Sequence, residues 1–522
     1  MDANDKTACL NPATGELLGY SQLDASGNVR QAVLHARRAQ PAWSALHLPK
    51  RIECLKRVQA YIVDNADELA EIIARDNGKT RTDALAAEVL PAAMAVDYYC
   101  RKAKSFLGDK RLMPGNLLMA NKVSRLVRVP YGVVGIISPW NYPFSIPFSE
   151  VVMGLLAGNA VLLKTATETQ LVGRAVERCM QAAGLPEGVF AYLNLPGREA
   201  GTALLESGVN KLFFTGSVST GKTLMAQAAK TLTPLVLELG GNDPMLVCPD
   251  ADIERAAGGA VWAGLQNCGQ SCGGVERIYV HQSIFAAFLE ALGQRVSRLR
   301  VGYDTDYQMD LGAMTTPGQM REVQRQVQQA LDHGASVHAQ SAVPDNGDGN
   351  FLPATVLTGV THDMDIMKLE TFGPVLGVMP VDDMAQAVEL ANDSDLGLTA
   401  SVWTRSTRYG AKLARGIQAG VVMINDHLMS HGLAETPWGG FKQSGIGRSH
   451  GAAGMAEMTQ IQCLVQDIMP GVKQNFWWHP HGPDVYNGLR GVIDLLYGNG
   501  LGQRFHGLLK LLRVYPRTFR RN

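Results

Sequence analysis

No stretch of this sequence is long and apolar enough to span a bilayer. The longest candidate, Val151 to Leu163, is broken by Gly154, Gly158 and Asn159 and falls short of the ~18 uninterrupted residues a span requires. There is no excess of charge, with 48 Lys and Arg against 48 Asp and Glu, so no global field draws the chain to a nucleic-acid backbone. The beginning, MDANDKTACL, is acidic and lacks an apolar core, which predicts neither a secretory nor a transit peptide and a cytoplasmic location. Cys9, Cys54, Cys100, Cys179, Cys248, Cys268, Cys272 and Cys463 are scattered without CxxC or CxxH spacing, so neither a disulfide framework nor a zinc site is expected, and no metal. Repeats, low-complexity tracts and heptads are also missing.

What is present is an α/β rhythm over 522 residues, too long for one simple core. From Ser26 to about Leu107 apolar residues recur at helical spacing (Leu55, Val58, Ile62; Leu69, Ile72, Ile73), with Asn77-Gly78 as a stop. This reads as a helical lead-in without obvious chemistry. Asn121 to Val129 reads as an extended arm. Short β-branched runs then follow at Val133–Ile137, Ala160–Lys164, Lys211–Phe214 and Leu235–Leu237, separated by helix-length segments, which predicts βαβ units in an open, doubly wound parallel sheet. Such sheets take ligands at the carboxyl ends of their strands, and a nucleotide is the first to consider. A second alternation starts near Met245, with a domain boundary near Gly240-Gly241.

Four segments could carry chemistry. Cys268 and Cys272 stand in a Gly-rich polar stretch after a helix, where free backbone N–H groups can favour a thiolate; at i, i+4 they share a face if that stretch is helical. Glu238 lies between apolar residues at the end of a strand, where desolvation raises a carboxyl toward the range of a general base, unless it is simply a paired buried glutamate. Pro139-Trp140-Asn141-Tyr142-Pro143-Phe144 combines a rigid turn with one amide suited to an oxyanion. The loop from Gly216 to Gly221 follows a strand and precedes a helix expected near Lys222, which suits a phosphate. Each is also compatible with plain packing.

Taken in order, PWNYPF (139–144), FTGS (214–217), LELGG (237–241), NCGQSC (267–272), ETFGPV (370–375) and PWGGFKQSGIGR (437–448) resemble the motifs of the aldehyde dehydrogenase superfamily, and the likeness runs from about Asn11 to about Val465. The resemblance implies a Rossmann-like cofactor domain (1–107 and 129–240), an α/β catalytic domain (241–435) and a small β oligomerisation element (108–128 with 450–468). Residues 469–522 form a C-terminal extension outside the common pattern. A homodimer or homotetramer is implied as well, since an extended arm cannot bury its edges alone.

The resemblance also assigns roles. Cys272 is the thiolate that attacks the aldehyde, Asn141 with the Cys272 backbone N–H holds the oxyanion, and Glu238 activates the water that releases the acid. Retention of Glu238 favours a free carboxylic acid over transfer to coenzyme A. Ile137, Ser138, Pro139, Trp140 and Lys164 are implied around NAD or NADP, with Gly197, Gly201, Phe214, Gly216, Ser217 and Gly221 beside them. Leu239, Glu370 and Phe372 fall at the nicotinamide end. Three residues after Lys164, where many members carry an acid that repels a 2′-phosphate, this chain has Thr167 with Glu168 shifted by one, so NADP is expected to be accepted.

Substrate is less legible. Met429, Ser430 and His431 offer no charge signature for an ω-carboxylate, and Arg277, the nearest cation to Cys272 in sequence, reads as a structural ion pair with Glu276 or another acid. The tail holds no Asp or Glu from Leu495 onward, while Arg504, Lys510, Arg513, Arg517, Arg520 and Arg521 give it +6. With Phe476-Trp477-Trp478 and two amphipathic segments, around Tyr486–Tyr497 and Phe505–Val514, it suits a membrane interface or an oligomer contact. Such tails resemble those of aldehyde dehydrogenase branches linked with apolar aldehydes, which favours a hydrophobic or long-chain substrate. The alternatives are a succinic-semialdehyde-type enzyme for a small anionic aldehyde and a non-catalytic structural or binding member.

Overall fold

A computed structural model describes residues 6–116, 119, 121–344 and 349–520. The first five residues of the acidic beginning, positions 117, 118 and 120 of the arm, and Arg521 of the basic tail lie outside them. Contacts divide the chain into a large unit, Met1–Gly108 with Arg128–Gln460, and a small one, Asp109–Val127 with Ile461–Asn522.

Among its described residues the large unit holds two large sheets, besides two two-stranded pairs. In the first, the order is Gly445–Ile446, Leu235–Glu238, Lys211–Thr215, Val133–Ile137, Ala160–Lys164, Phe190–Tyr192, all parallel except the edge pair Gly445–Ile446 with Leu235–Glu238. Every residue of Val133–Ile137, Ala160–Lys164 and Lys211–Thr215 is buried, because helices cover both faces; this is why these strands read as continuous apolar runs. Chain order reverses between Val133–Ile137 and Lys211–Thr215, and a crevice opens at the carboxyl ends of strands at such a switch point.

The second sheet runs Ser336–Gln340, Thr355–Thr358, Val375–Val381, Val275–His281, Asp243–Val247, Thr399–Trp403, Val421–Ile424, parallel apart from its first pair. The chain passes from one sheet to the other between Glu238 and Asp243.

The helical lead-in consists of Ser26–Ala45, Leu48–Asp64 and Ala66–Asn77, the last ended by Gly78 in the left-handed region. Arg81–Ala84 then runs through a π-helical turn, Leu85–Val89, into Leu90–Leu107. In the small unit Lys110–Leu112 pairs with the arm strand Lys122–Pro130, and the two helices Pro483–Tyr497 and Leu501–Val514 form a hairpin. No helix among the described residues is long and apolar enough to cross a membrane.

Candidate active site

The helix Ile253–Leu265 does not continue into the cysteine segment. Asn267 (φ 52°) and Cys268 (φ 55°) both adopt the left-handed conformation, so Cys268 and Cys272 do not share a helical face. Cys268 turns inward, its thiol donating to the Gly312 carbonyl at 3.0 Å, and burial pushes it up to about 12, so it stays a packed, protonated thiol. Cys272 is only half-buried and lines two cavities at once. Its backbone is gripped from both sides. A Cβ on Gly241 would lie 2.2 Å from the Cys272 carbonyl oxygen, so only glycine fits there. On the other side the Thr399 hydroxyl donates to the Gly273 carbonyl at 3.1 Å and His427 Nε2 lies 3.0 Å from the same oxygen.

Asn141 is positioned by its surroundings. Its Nδ2 donates to the Gln270 carbonyl at 3.1 Å, which leaves a second N–H on the same nitrogen. Its own carbonyl accepts from Asn267 Nδ2 and from Lys79 Nζ, each at 2.9 Å. Lys79 is in turn ion-paired with Glu88, both side chains fully buried, and Glu88 Oε2 accepts from the N–H groups of Phe144 (2.7 Å) and Ser145 (3.2 Å). The pair therefore clamps both ends of the Asn141 turn. This overturns the reading of the helical lead-in as chemically silent. The π-helical turn that carries Glu88 inward is a device common at functional sites; in the sequence Glu88 is a lone charge among Ala, Leu and Val, whereas Lys79 sits in a polar stretch that gives no hint of burial. Removing one partner strands a buried charge, so Glu88→Gln is expected to lower unfolding free energy by about 3–5 kcal/mol in a urea denaturation series.

The site is rich in carboxyls. Glu238, at the end of its strand, accepts from the Ser449 N–H at 3.2 Å through Oε1, while Oε2 is buried without a partner among the described residues. Burial, with Glu150 adding repulsion, holds its carboxyl well above the usual range. Glu370 accepts from the Gly241 N–H at 3.1 Å and is pushed up by burial to about 7. Glu276 accepts from Thr371 and Phe372 N–H groups and shapes the turn that puts Phe372 at φ 51°. The Cys272 thiol is raised in turn, by desolvation and by the carboxyls of Glu370, Asp243 and Glu238.

One cavity, of about 260 Å³, gathers Pro139, Trp140, Asn141, Gly216, Ser217, Glu238, Leu239, Cys272, Glu370 and Phe372, with Thr215, Gly240, Gln319 and Glu322. Trp140 and Phe372 meet edge to face with centroids 5.4 Å apart. The other candidates stand behind this wall: Ile137 and Ser138 at the end of one strand, Lys164 at the end of the next, with Gly197 close to the Lys164 ammonium. Phe214 packs over Gly216, Gly221 under Leu239, and Gly201 against Leu224, a helix contact away from the cavity. Thr167 opens a short 3-10 turn and is half-buried beside exposed Glu168. The helix after the loop begins at Val218, not near Lys222, because Ser217 caps it by accepting from the Thr220 N–H.

A nicotinamide dinucleotide fits these residues. Ser138 Oγ, Thr215 Oγ1 and Glu238 Oε2 are buried polar atoms without partners among the described residues, gathered at the carboxyl ends of the strands beside a helix N-terminus. Lys164, pushed down by burial to about 8, would have its charge stabilised beside an anion.

The second cavity, of about 340 Å³, leads from Cys272 in another direction. Its walls are the turns from Thr82 to Met94, then Tyr142, Ile146, Trp262, Leu428, Met429, Leu433 and Trp438. Among the described residues its lining has no Lys or Arg; its acid is Asp83, and its His431 is held down near 4 by burial and so is neutral. Arg277 does not reach it. Neighbouring residues of a strand face opposite ways, so Arg277 turns from Glu276 and donates instead to the carbonyls of Asn242 (2.9 Å), Leu390 (3.2 Å) and Ala391 (3.3 Å). The expected ion pair is a carbonyl clamp.

The sequence profile described as "Aldehyde dehydrogenase family" matches residues 1–464. A 4,4'-diapolycopene aldehyde oxidase of Methylomonas sp is 37% identical over 492 residues, 94% of this chain and 91% of the relative. A protein of Mycolicibacterium smegmatis provisionally named succinate-semialdehyde dehydrogenase (NADP+) is 36% identical over 467 residues, 89% of each. Among solved structures, lactaldehyde dehydrogenase from Escherichia coli superposes with a TM-score of 0.84 at 32% identity, covering 90% of this chain and 96% of that one.

Proposed function

Since the chain belongs to the aldehyde dehydrogenase family and is therefore an NAD(P)-dependent oxidoreductase that turns aldehydes into carboxylic acids, we propose that its substrate is an apolar, long-chain aldehyde. The observation that carries this is the tunnel from Cys272: apolar walls, no cation among its described residues, and one acid, Asp83, that would repel a substrate carboxylate. Exposed Leu90, Met94, Trp262 and Met429 supply an apolar mouth. The name of the Methylomonas relative, which specifies an apolar aldehyde, supports the same reading.

In this proposal the Cys272 sulfur attacks the aldehyde carbon, and the free N–H of Asn141 Nδ2 with the Cys272 backbone N–H receives the oxyanion; one such donor is worth about 10²–10³ in rate. NAD(P), when bound, supplies the hydride acceptor. Cys272 then carries a thioester, and Glu238 takes a proton from the water that attacks it, so the acid leaves and the thiol is restored. Thr167 in place of an acid supports acceptance of NADP beside NAD. The cofactor, catalytic and oligomerisation segments keep the boundaries given above as part of this reading, with a homodimer or homotetramer and a tail that rests on a membrane surface.

The test is reduced-cofactor formation with NAD and with NADP over aldehydes from succinic semialdehyde to long-chain and terpenoid members. kcat/KM is expected to climb with chain length and to be lowest for succinic semialdehyde. A preference for the short anionic aldehyde would overturn the substrate reading, and a preference for NAD above a hundredfold the cofactor one.

A further inference from the structure

The small unit is built unlike an ordinary water-soluble helical hairpin. Its two helices, Pro483–Tyr497 and Leu501–Val514, meet through glycines: a Cβ on Gly491 would stand 2.6 Å from the Gly507 carbonyl oxygen, and one on Gly507 2.5 Å from that of Gly491. Backbone-to-backbone contact of this kind, typical of helices packed in lipid, uses few of the large apolar side chains, Val514 against Gly488 among them. Most of those side chains are consequently left over. Only Phe476, Val485, Leu511 and Val514 form a buried apolar cluster among the described residues, whereas Tyr486, Leu489, Ile493 and Tyr497 line one face of the first helix in the open. On the second helix Leu501, Phe505, Leu509 and Leu512 are exposed as well.

Beside the hairpin is a cavity of about 570 Å³, walled by Phe476, Trp477, Val492, Leu495, Leu496 and Leu511, among others. Arg504 is the one charged residue in its described lining. The other basic residues differ in their commitments: Arg490 and Lys510 both pair with Asp494, while Arg504 reaches only a carbonyl, that of Gly498, at 2.9 Å, with no carboxylate partner among the described residues. An apolar chamber of ligand size, one unspent guanidinium and a surface enriched in Arg, Trp and Tyr match one chemistry, a long apolar chain that ends in an anion.

We propose that this chamber binds one alkyl chain of an anionic amphiphile, the chain among Trp477, Val492 and Leu496 and the anionic end on Arg504. Two sources share that chemistry: the carboxylate that oxidation of a long-chain aldehyde releases, and an anionic phospholipid lending one acyl chain. The proposal rests on the reading of the substrate as apolar only for the first source; the site itself is independent of Cys272.

The test uses the full chain and quenching of Trp477 fluorescence by dibromostearate in buffer, by brominated phosphatidylglycerol vesicles and by brominated phosphatidylcholine vesicles. Saturable quenching by one anionic ligand per chain is expected, and Trp477→Phe should remove most of it. Val492→Phe, which narrows the chamber beside Trp477, should weaken binding about tenfold, and Arg504→Gln should weaken anion binding about tenfold while leaving a brominated long-chain alcohol unaffected. Saturation by dibromostearate alone assigns the free carboxylate, and saturation by phosphatidylglycerol vesicles alone assigns the phospholipid. Absence of saturation with either, or equal quenching in Val492→Phe, would overturn the proposal. Turnover of alkanals by the same samples reads the catalytic site separately, so loss of one signal without the other shows which inference has failed.

Discussion

Cys272→Ala is expected to leave no measurable aldehyde-dependent reduction of NAD or NADP, a loss of about four orders of magnitude or more, with the fold and thermal unfolding unchanged. The size of the effect follows from position. Cys272 is the point at which the apolar tunnel and the polar cavity meet, so a substrate entering by one and a dinucleotide held in the other converge there. The neighbouring Cys268 cannot substitute, because it is buried against the Gly312 carbonyl and protonated. Substantial turnover in the alanine variant would remove the thiohemiacetal route altogether. The Cys272 thiol is itself raised by burial and by the carboxyls of Glu370 and Asp243, so its activation requires that a proton leave a crowded acidic site.

Glu238→Gln should separate the two halves of the reaction. A burst of reduced cofactor, one per active site, is expected to persist in rapid mixing, while the steady state falls by about 10²–10⁴, the usual share of a general base. The pH profile carries a second signature. Burial and Glu150 hold the Glu238 carboxyl well above its ordinary value, and only the deprotonated form can take a proton from water. The kcat of the parent should therefore rise about tenfold per pH unit below that raised pKa and level off above it, and this acid limb should vanish in the glutamine variant. Loss of the burst together with the steady state would instead make Glu238 the base for the thiol.

The parallel strands were legible because burial on both faces writes a short, nearly unbroken apolar run, and a run of that kind is seen in Val133–Ile137 and in residues 160–163 without any knowledge of their neighbours. The motif residues were legible for a related reason, since turns that must present backbone or an amide at a strand end tolerate few side chains. Gly241, pressed onto the Cys272 carbonyl, is one such position. Lys79 and Glu88 were not legible. Their pairing depends on a π-helical turn that rotates Glu88 away from the surface, and no local pattern announces which way a glutamate in an Ala-rich helix will face. Arg277 was misread for the opposite reason: adjacency to Glu276 in sequence suggested a bond that the alternation of a strand forbids.

By itself the sequence determined the alternation of strands and helices, the presence of a cysteine, a glutamate and an asparagine in turns at strand and helix ends, and the basic, glycine-containing tail, because each of these is a local property of side-chain type and spacing. Only the tertiary structure decided that Cys272 faces two cavities, that one of them is apolar and without a cation among its described residues, and that Asn141 is held by an ion pair from the lead-in helices. It decided too that the tail helices meet through Gly491 and Gly507 and leave a chamber beside Arg504. These are relations between segments far apart in the chain, fixed by burial and by the need to satisfy buried charge.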